Sequence, residues 1–325
     1  MRIGITFDLR EDYAMGGYTE EEIAEFDRLE TIEAIESALH TLGHSTERVG
    51  NTKALAMRLS KGDRWDLVFN SAEGMHGFGR QALAPALLDA YEIPYIFSDP
   101  LTLAVTLHKA TAKQVVRDSG IRTADFAVIE TLADVANVAL PFPLFIKPIA
   151  EGTSKGISGA SKIRDRGELE AGCARLLSRY RQPVLVEVYL PGREFTVGIL
   201  GTGMAARALG TMEILLKDGP EPEIYSYDNK KYFDDRVAPR LVDDAASRSA
   251  EELALRAWKC LGGRDGGRVD VRCDKAGDVN FIEANPLAGM HPRDSDLPLI
   301  ARMVGLCYHS LIEEVVVSAS ARAAG

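Results

Sequence analysis

The residues best equipped for chemistry lie between Arg268 and Pro286. Arg268-Val269-Asp270-Val271-Arg272-Cys273 and Val279-Asn280-Phe281-Ile282-Glu283-Ala284-Asn285-Pro286 flank a polar turn, Asp274-Lys275-Ala276-Gly277-Asp278. Two alternating segments around a Gly-containing turn read as a β-hairpin. Alternation puts Arg268, Asp270 and Arg272 on one face and Val269, Val271 and Cys273 on the other. With a turn closing at Ala276-Gly277, Asp270 lies opposite Glu283, and Asn285 shares the face of Glu283. Two carboxylates and an amide oxygen then converge, a hard-oxygen set that suits Mg²⁺. The plainer alternative is a surface hairpin with cross-strand charges. It accounts less well for acids that share a face with Arg268 while the opposite face is apolar.

Other candidates are weaker alone. Lys147 ends a strand and runs through Pro148 into Gly152-Thr153-Ser154-Lys155-Gly156, a loop whose small residues let backbone N–H groups wrap anionic oxygens. It lacks the Walker A pattern, and most Gly/Ser loops are ordinary turns. Lys109 and Lys113 share a helix and read equally as solvated lysines, as does Lys230-Lys231-Tyr232 in a charged loop. Glu187 and Glu194 bracket Tyr189-Leu190-Pro191-Gly192. They could read an adenine edge and ribose hydroxyls, or be two surface carboxylates.

The elements around these residues alternate strand and helix. Strands are expected at 2–9, 66–70 and 95–97, with helices at 29–42 and 81–91, so the first unit is a small parallel sheet. Glu20, Glu21, Glu22, Glu25, Asp27 and Glu30 read mostly as a solvated helix start. One helix is expected over 103–119, strands at 142–147, 184–187, 195–200, 268–273 and 279–284, and one closing helix over 298–318. Residues 218–240, charged and with little apolar periodicity, read as an active-site lid. The units expected are 1–98, 99–186 and 187–325.

The 325 residues carry 48 acidic and 38 basic side chains, a net charge of −10, with 46% hydrophobic and 26% charged residues and a mean hydropathy of −0.08. These values point to a soluble globular enzyme of more than one unit. The acidic balance argues against nucleic acid as a partner, and no apolar run is long enough for a membrane span. Cys173, Cys260, Cys273 and Cys307 form no CxxC pair, as expected of reduced thiols in the cytoplasm.

Taken in order, the motifs resemble the ATP-grasp superfamily and, within it, the D-alanine–D-alanine ligase family. Val68-Phe69-Asn70 resembles the first-domain VFN motif, and His108-Lys109 through Lys113 resembles DKxxxK. Lys147-Pro148 with Glu151-Gly152-Thr153-Ser154-Lys155-Gly156 resembles KPxxEGSSxG, and Glu187 through Val197 resembles ExxLxGxEFTV. Lys231-Tyr232 matches a KY pair, and Arg268-Val269-Asp270 with Glu283-Ala284-Asn285-Pro286 matches RxD…EANP. The resemblance implies an α/β ATP-grasp fold, with an N-terminal parallel α/β domain and two α+β subdomains clasping ATP.

It also implies roles. Lys109 and Lys147 would neutralise phosphates, and Thr153 and Ser154 would close over them. Glu187, Val188, Leu190 and Glu194 would bind adenosine, and Asp270, Glu283 and Asn285 would hold two Mg²⁺ (or Mn²⁺). Lys231, with Tyr232 beside it, would meet the γ-phosphate, and Arg268 with the Gly289 N–H would stabilise an oxyanion. The implied reaction joins two amino acids through an acyl phosphate, in a homodimer.

The amino-acid end departs from the family. Ala72-Glu73-Gly74-Met75-His76-Gly77 stands for LHGxxGEDG, Phe7 to Tyr13 for SxExxVS, and Asn285-Pro286-Leu287-Ala288-Gly289-Met290 for NTSPGM. A divergent subgroup is implied, whose product need not be D-Ala–D-Ala; the alternatives are an ATP-grasp ligase of specialised metabolism using a different acid or amine, and a nucleotide-binding protein that does not ligate. Glu73, Ser295 and Leu297 are the candidate substrate contacts, while His76 and His291 read as loop histidines.

Overall fold

The computed structural model describes residues 1–217, 224 and 226–324, with the side chains of 230, 231, 233, 234 and 324 left aside. Short hydrophobic strands build a parallel sheet of β1 (Arg2–Phe7), β2 (Ser45–Gly50), β3 (Leu67–Ser71) and β4 (Tyr95–Ile96), in the order β2-β1-β3-β4. β1 and β3 are buried along nearly their whole length, as expected of parallel strands covered on both faces. The helix Leu29–Thr41 turns Ile32, Ile35, Ala38 and Leu39 onto one face at helical spacing and packs against that sheet.

Two antiparallel sheets follow. β5 (Phe126–Ile129), β6 (Leu144–Pro148), β7 (Lys162–Ile163) and β8 (Val184–Val188) pair in the order β5-β8-β6-β7. β9 (Glu194–Leu200), β10 (Arg207–Leu216), β11 (Val237–Leu241), β12 (Gly266–Cys273) and β13 (Val279–Asn285) pair in the order β11-β10-β9-β12-β13. The helix Ala245–Leu261 covers one face of the five-stranded sheet through Ala250, Ala254, Ala257 and Trp258, leaving the other for a site. The last helix, Tyr308–Ala324, returns to the first unit. Its Leu311, Ile312, Val315 and Ala319 share one core with Ile3, Ile5 and Ile35. Among the described residues no helix is long and apolar enough to cross a membrane.

Four expectations need correction. The stretch 103–119 is not one helix but two, Pro100–Leu107 and Lys109–Asp118. His108 sits extended between them, and its Nδ1 accepts the Thr111 N–H as an N-cap. The closing stretch is also two helices, Asp296–Met303 and Tyr308–Ala324, separated at Gly305, which takes φ +82°. Within 218–240, helices form at Tyr227–Lys231 and Phe233–Arg236, and β11 pairs with β10; 218–223 and 225 lie outside the described residues. Finally, the acids at 20–27 precede the helix rather than start it, and Glu25 is buried against Arg80 and Lys155.

Candidate active site

The β12–β13 hairpin pairs Asp270 with Glu283 and Arg268 with Asn285. The turn, however, spans Asp274 to Asp278 and is centred on Ala276. A bulge between Asp270 and Val271 restores the expected pairing and sets Ile282 and Glu283 side by side in one cleft. Asp270 receives the Thr196 hydroxyl at 2.9 Å and is ion-paired with Arg268. The Asn285 amide reaches Asp270 at 3.4 Å. Burial pushes the Asp270 carboxyl up; Arg268 works against this, and Glu283 adds to it. Burial also opposes charge on Glu283, but Lys109, Lys147 and Arg268 outweigh it and hold that carboxyl well below its ordinary range. Among the described residues no three His, Cys, Asp or Glu side chains gather as a metal cluster. The mixed set of two carboxylates and an amide oxygen nonetheless has the hard donors a divalent cation such as Mg²⁺ takes.

Facing this hairpin across the cleft is a buried cation–anion–cation triad. Glu187 on β8 contacts Lys113 Nζ at 2.7 Å and Lys147 Nζ at 2.9 Å, and all three side chains are at most 5% exposed. Burial raises the Glu187 carboxyl, but Lys113 and Lys147 more than offset that and hold it at about 2. Lys109 reaches Glu283 at 3.1 Å and the Glu151 carbonyl at 2.8 Å. Glu194 is bound by Arg272 at 3.0 Å. Lys147, Ser154, Glu187, Val188, Leu190 and Glu194 line the same cleft as Arg268, Asp270 and Glu283. Ile224, the one described residue of its stretch before Ser226, closes the cleft beside them.

The Gly/Ser loop covers the end of this cleft. Thr153 and Ser154 hold φ of +51° and +56°, and the Lys155 N–H reaches the Gly152 carbonyl at 3.0 Å. This is a mirror-image turn that normally selects Asn and Gly. Holding two such residues there costs about 1–3 kcal/mol each. Glu25 of the first unit holds the loop in place. It accepts the Gly152 N–H at 2.9 Å, contacts Lys155 at 2.7 Å and pairs with Arg80 at 2.8 Å. From the other side the Tyr227 N–H bonds the Ile157 carbonyl at 3.2 Å, which joins the helix Tyr227–Lys231 to the loop.

Beyond the loop lies a cavity of about 620 Å³. Arg268 borders both spaces, so it stands at their junction. Thr153, Tyr232, Glu73, Asn285, Gly289 and Ser295 line the cavity. Leu297 borders it too but is only 1% exposed and belongs mainly to the core. A methyl group on Gly289 would come within 2.8 Å of Ser295 Oγ and push that hydroxyl from the His291 N–H it accepts. The Tyr232 ring packs under the Arg236 guanidinium at 4.7 Å. Lys231 ends its helix with a side chain outside the described residues. His76 is exposed, and His291 caps its own turn by accepting the Arg293 and Asp294 N–H groups.

Sequence reasoning missed Glu25, Asp27, Arg80, Lys155 and Asp296. Asp27, on the cavity wall, is bonded by the Ser71 hydroxyl, and burial pushes its carboxyl up to about 7. Glu73, bonded by Gln81 at 2.5 Å, is pushed up to about 8 by burial and by Glu25. Asp296 meets Arg268 Nε at 3.2 Å. Its place one residue after Ser295 was the available signal. Nothing in the local pattern marks Arg80.

A parallel α/β unit, followed by two antiparallel sheets that close a cleft around Lys147 under a Gly/Ser loop, defines an ATP-grasp fold. More particularly, the chain belongs to the D-alanine–D-alanine ligase family. Residues 115–317 match the family described as D-ala D-ala ligase C-terminus. The chain is 32% identical over 304 residues to the D-alanine–D-alanine ligase of Aquifex aeolicus, covering 93% of this chain and 98% of that one. In fold it is similar to the D-alanine–D-alanine ligase of Bacillus anthracis, at TM-score 0.76 and 20% identity over 100% and 99% of the two chains. The same enzyme complexed with ATP matches at TM-score 0.73 and 19% identity, over 100% of this chain and 99% of that one. The VanG D-Ala:D-Ser ligase of Enterococcus faecalis matches at TM-score 0.75 and 20% identity, over 98% and 99%.

Proposed function

We propose that this protein is an ATP- and Mg²⁺-dependent carboxylate–amine ligase that joins two amino acids in the cytoplasm. The observation that carries the reading is the position of Arg268, shared by the cleft of Lys147, Glu187 and Glu283 and a separate polar cavity. In the first step an oxygen of the acid attacks the γ-phosphorus of ATP, and ADP leaves with an acyl phosphate left behind. In the second the amine nitrogen attacks the acyl carbon, a C–N bond forms, and phosphate departs with the C–O electron pair. The nitrogen gives up its surplus proton to solvent. In-line phosphoryl transfer needs positioning and charge neutralisation more than covalent help.

On this reading Lys109 and Lys147 meet the phosphates, and the Thr153 and Ser154 N–H groups close over them. Glu187 and the Val188 backbone take the adenine edge, Leu190 packs on it, and Glu194 takes the ribose. Asp270, Glu283 and Asn285 would hold Mg²⁺, which when bound supplies charge neutralisation to the phosphates. Arg268 and the Gly289 N–H receive the developing oxyanion, and Lys231 with Tyr232 approaches from the lid. Glu73, Ser295 and the edge of Leu297 contact the amino acids. The Glu25–Gly152 latch and the lid exclude water, which would otherwise hydrolyse the acyl phosphate.

The test is amino-acid-dependent phosphate release from ATP. Asp270→Asn and Glu283→Gln are each expected to reduce it at least about a hundredfold while circular dichroism stays that of the parent. Turnover at the parent rate in either variant refutes the assignment.

A further inference from the structure

β12 contributes three side chains to the cleft of Lys147 and Glu187, those of Arg268, Asp270 and Arg272, and the chemistry above leaves the third without a part. The Arg272 guanidinium lies across the joint between the two antiparallel sheets. Its Nη1 donates to Glu194 Oε2 at 3.0 Å, from the position directly opposite in the β9–β12 register. Nε donates to the Gly192 carbonyl at 3.3 Å, and Nη2 to the Tyr189 hydroxyl at 3.4 Å. Tyr189 is anchored on the four-stranded side, where its N–H bonds the Pro143 carbonyl at 3.0 Å and its ring stacks near Phe145. One planar cation therefore grips both ends of the turn that joins β8 to β9. We propose that Arg272 determines ribose recognition: it holds Glu194 through Oε2 so that Oε1 accepts a ribose hydroxyl, and the site selects a ribonucleotide over a deoxyribonucleotide. This rests on the ligase reading above, in which Glu194 takes the ribose, and deepens it by naming the residue that makes Glu194 selective.

Three physical points support this. A glutamate loses rotamer freedom when a ligand fixes it, and a partner that has already fixed it removes that cost from binding. The turn itself has no slack: the Gly192 N–H bonds the Cys273 carbonyl at 2.9 Å, and a methyl group on Gly192 would fall 2.7 Å from that carbonyl oxygen. Arg272 thus holds Glu194 against a rigid backbone. Glu194 also shares the cleft with Asp270 and Glu283, like charges that oppose its placement there unless a cation offsets them. A guanidinium can do all of this at once because its donors form a fixed fork, whereas an ammonium is a single point of charge.

The experiment is calorimetric titration with ATP, 2′-deoxy-ATP and 3′-deoxy-ATP in the presence of Mg²⁺, on the parent, Arg272→Met, Arg272→Lys, Glu194→Gln and the double variant Arg272→Met/Glu194→Gln. The ratio of deoxynucleotide Kd to ATP Kd is internal to each protein, so partial loss of folded material cancels. The parent is expected to prefer ATP over at least one deoxynucleotide by about tenfold or more, as befits a hydroxyl bonded to a charged acceptor. Arg272→Met should reduce that preference to about threefold or less, Arg272→Lys should fall between, and the double variant should lose no more preference than Glu194→Gln alone. A purely structural role in the turn would instead weaken all three nucleotides by one common factor. That result, an unchanged ratio in either folded Arg272 variant, or a parent that binds the three equally, overturns the proposal and leaves the ligase reading standing. A parent that binds none of the three overturns the ligase reading, and this inference with it.

Discussion

Replacing Lys113 with methionine tests whether the buried triad serves the nucleotide cleft as well as the fold. Glu187 is held at about 2 against its ordinary 4.5. The difference, (4.5 − 2) at about 1.4 kcal/mol per unit, is roughly 3 kcal/mol shared between Lys113 and Lys147. A carboxyl whose folded value is depressed contributes that stability above pH 4.5 and loses it as the pH falls through about 2. Lys113→Met removes about half of this. It also removes the burial of an ammonium whose own protonation is pushed down, chiefly by burial. No charge is orphaned, because Lys147 still faces Glu187 at 2.9 Å. The net loss should therefore be only about 1–2 kcal/mol, below the 3–5 kcal/mol typical when a buried ion is left alone. The functional loss should be larger in proportion. Glu187 would draw on Lys147 alone, and that lysine would be less free for a phosphate. Urea unfolding at pH 7 reads the first effect. Calorimetric titration with a non-hydrolysable ATP analogue reads the second, expected as about a tenfold weaker Kd. A variant as stable as the parent that binds the analogue equally well would refute the idea that the triad couples the two.

Two further outcomes follow from the acids of the first unit. Glu25→Gln takes the ion-pair partner from the buried Arg80, which keeps the Ala150 carbonyl at 2.9 Å. It should cost about 3 kcal/mol in urea unfolding and slow phosphate release, because the Gly152 N–H loses its charged acceptor. Asp27 runs the opposite way. Its folded value of about 7 lies above the ordinary 3.8, so the unfolded chain gives up that proton first and stability falls between those pH values by up to about 4 kcal/mol. Asp27→Asn should then raise Tm at pH 8 and leave it nearly unchanged at pH 4. A flat difference across pH 4, 6 and 8 would show that the carboxyl is charged in the folded protein at little cost.

How much was legible depended on whether a signal was local. The hairpin announced itself by strict alternation, and the Asp270–Glu283 pairing followed from the turn residues even though a bulge, not the assumed turn centre, produces it. The break at His108 could not be read, because a histidine N-cap carries no Gly or Pro mark. Gly305, by contrast, was a stop signal that the apolar periodicity around it overrode. Glu25 was illegible for a physical reason. Its acidic neighbours are solvated, and only tertiary partners far along the chain, Arg80, Gly152 and Lys155, make it a buried latch. Asp27 and Asp296 became site residues the same way, through walls contributed by distant segments.

The helix Tyr308–Ala324 completes the core of a sheet whose first strand is Arg2–Phe7. During synthesis that sheet would wait, with Ile3, Ile5 and Ile35 only partly covered, until some three hundred further residues had left the ribosome. The two antiparallel sheets carry their own covering helices and can settle earlier. Order of synthesis and order of assembly are therefore inverted: of the three sheets the one made first is the last to be sealed, and a chain cut short before Tyr308 would leave it open.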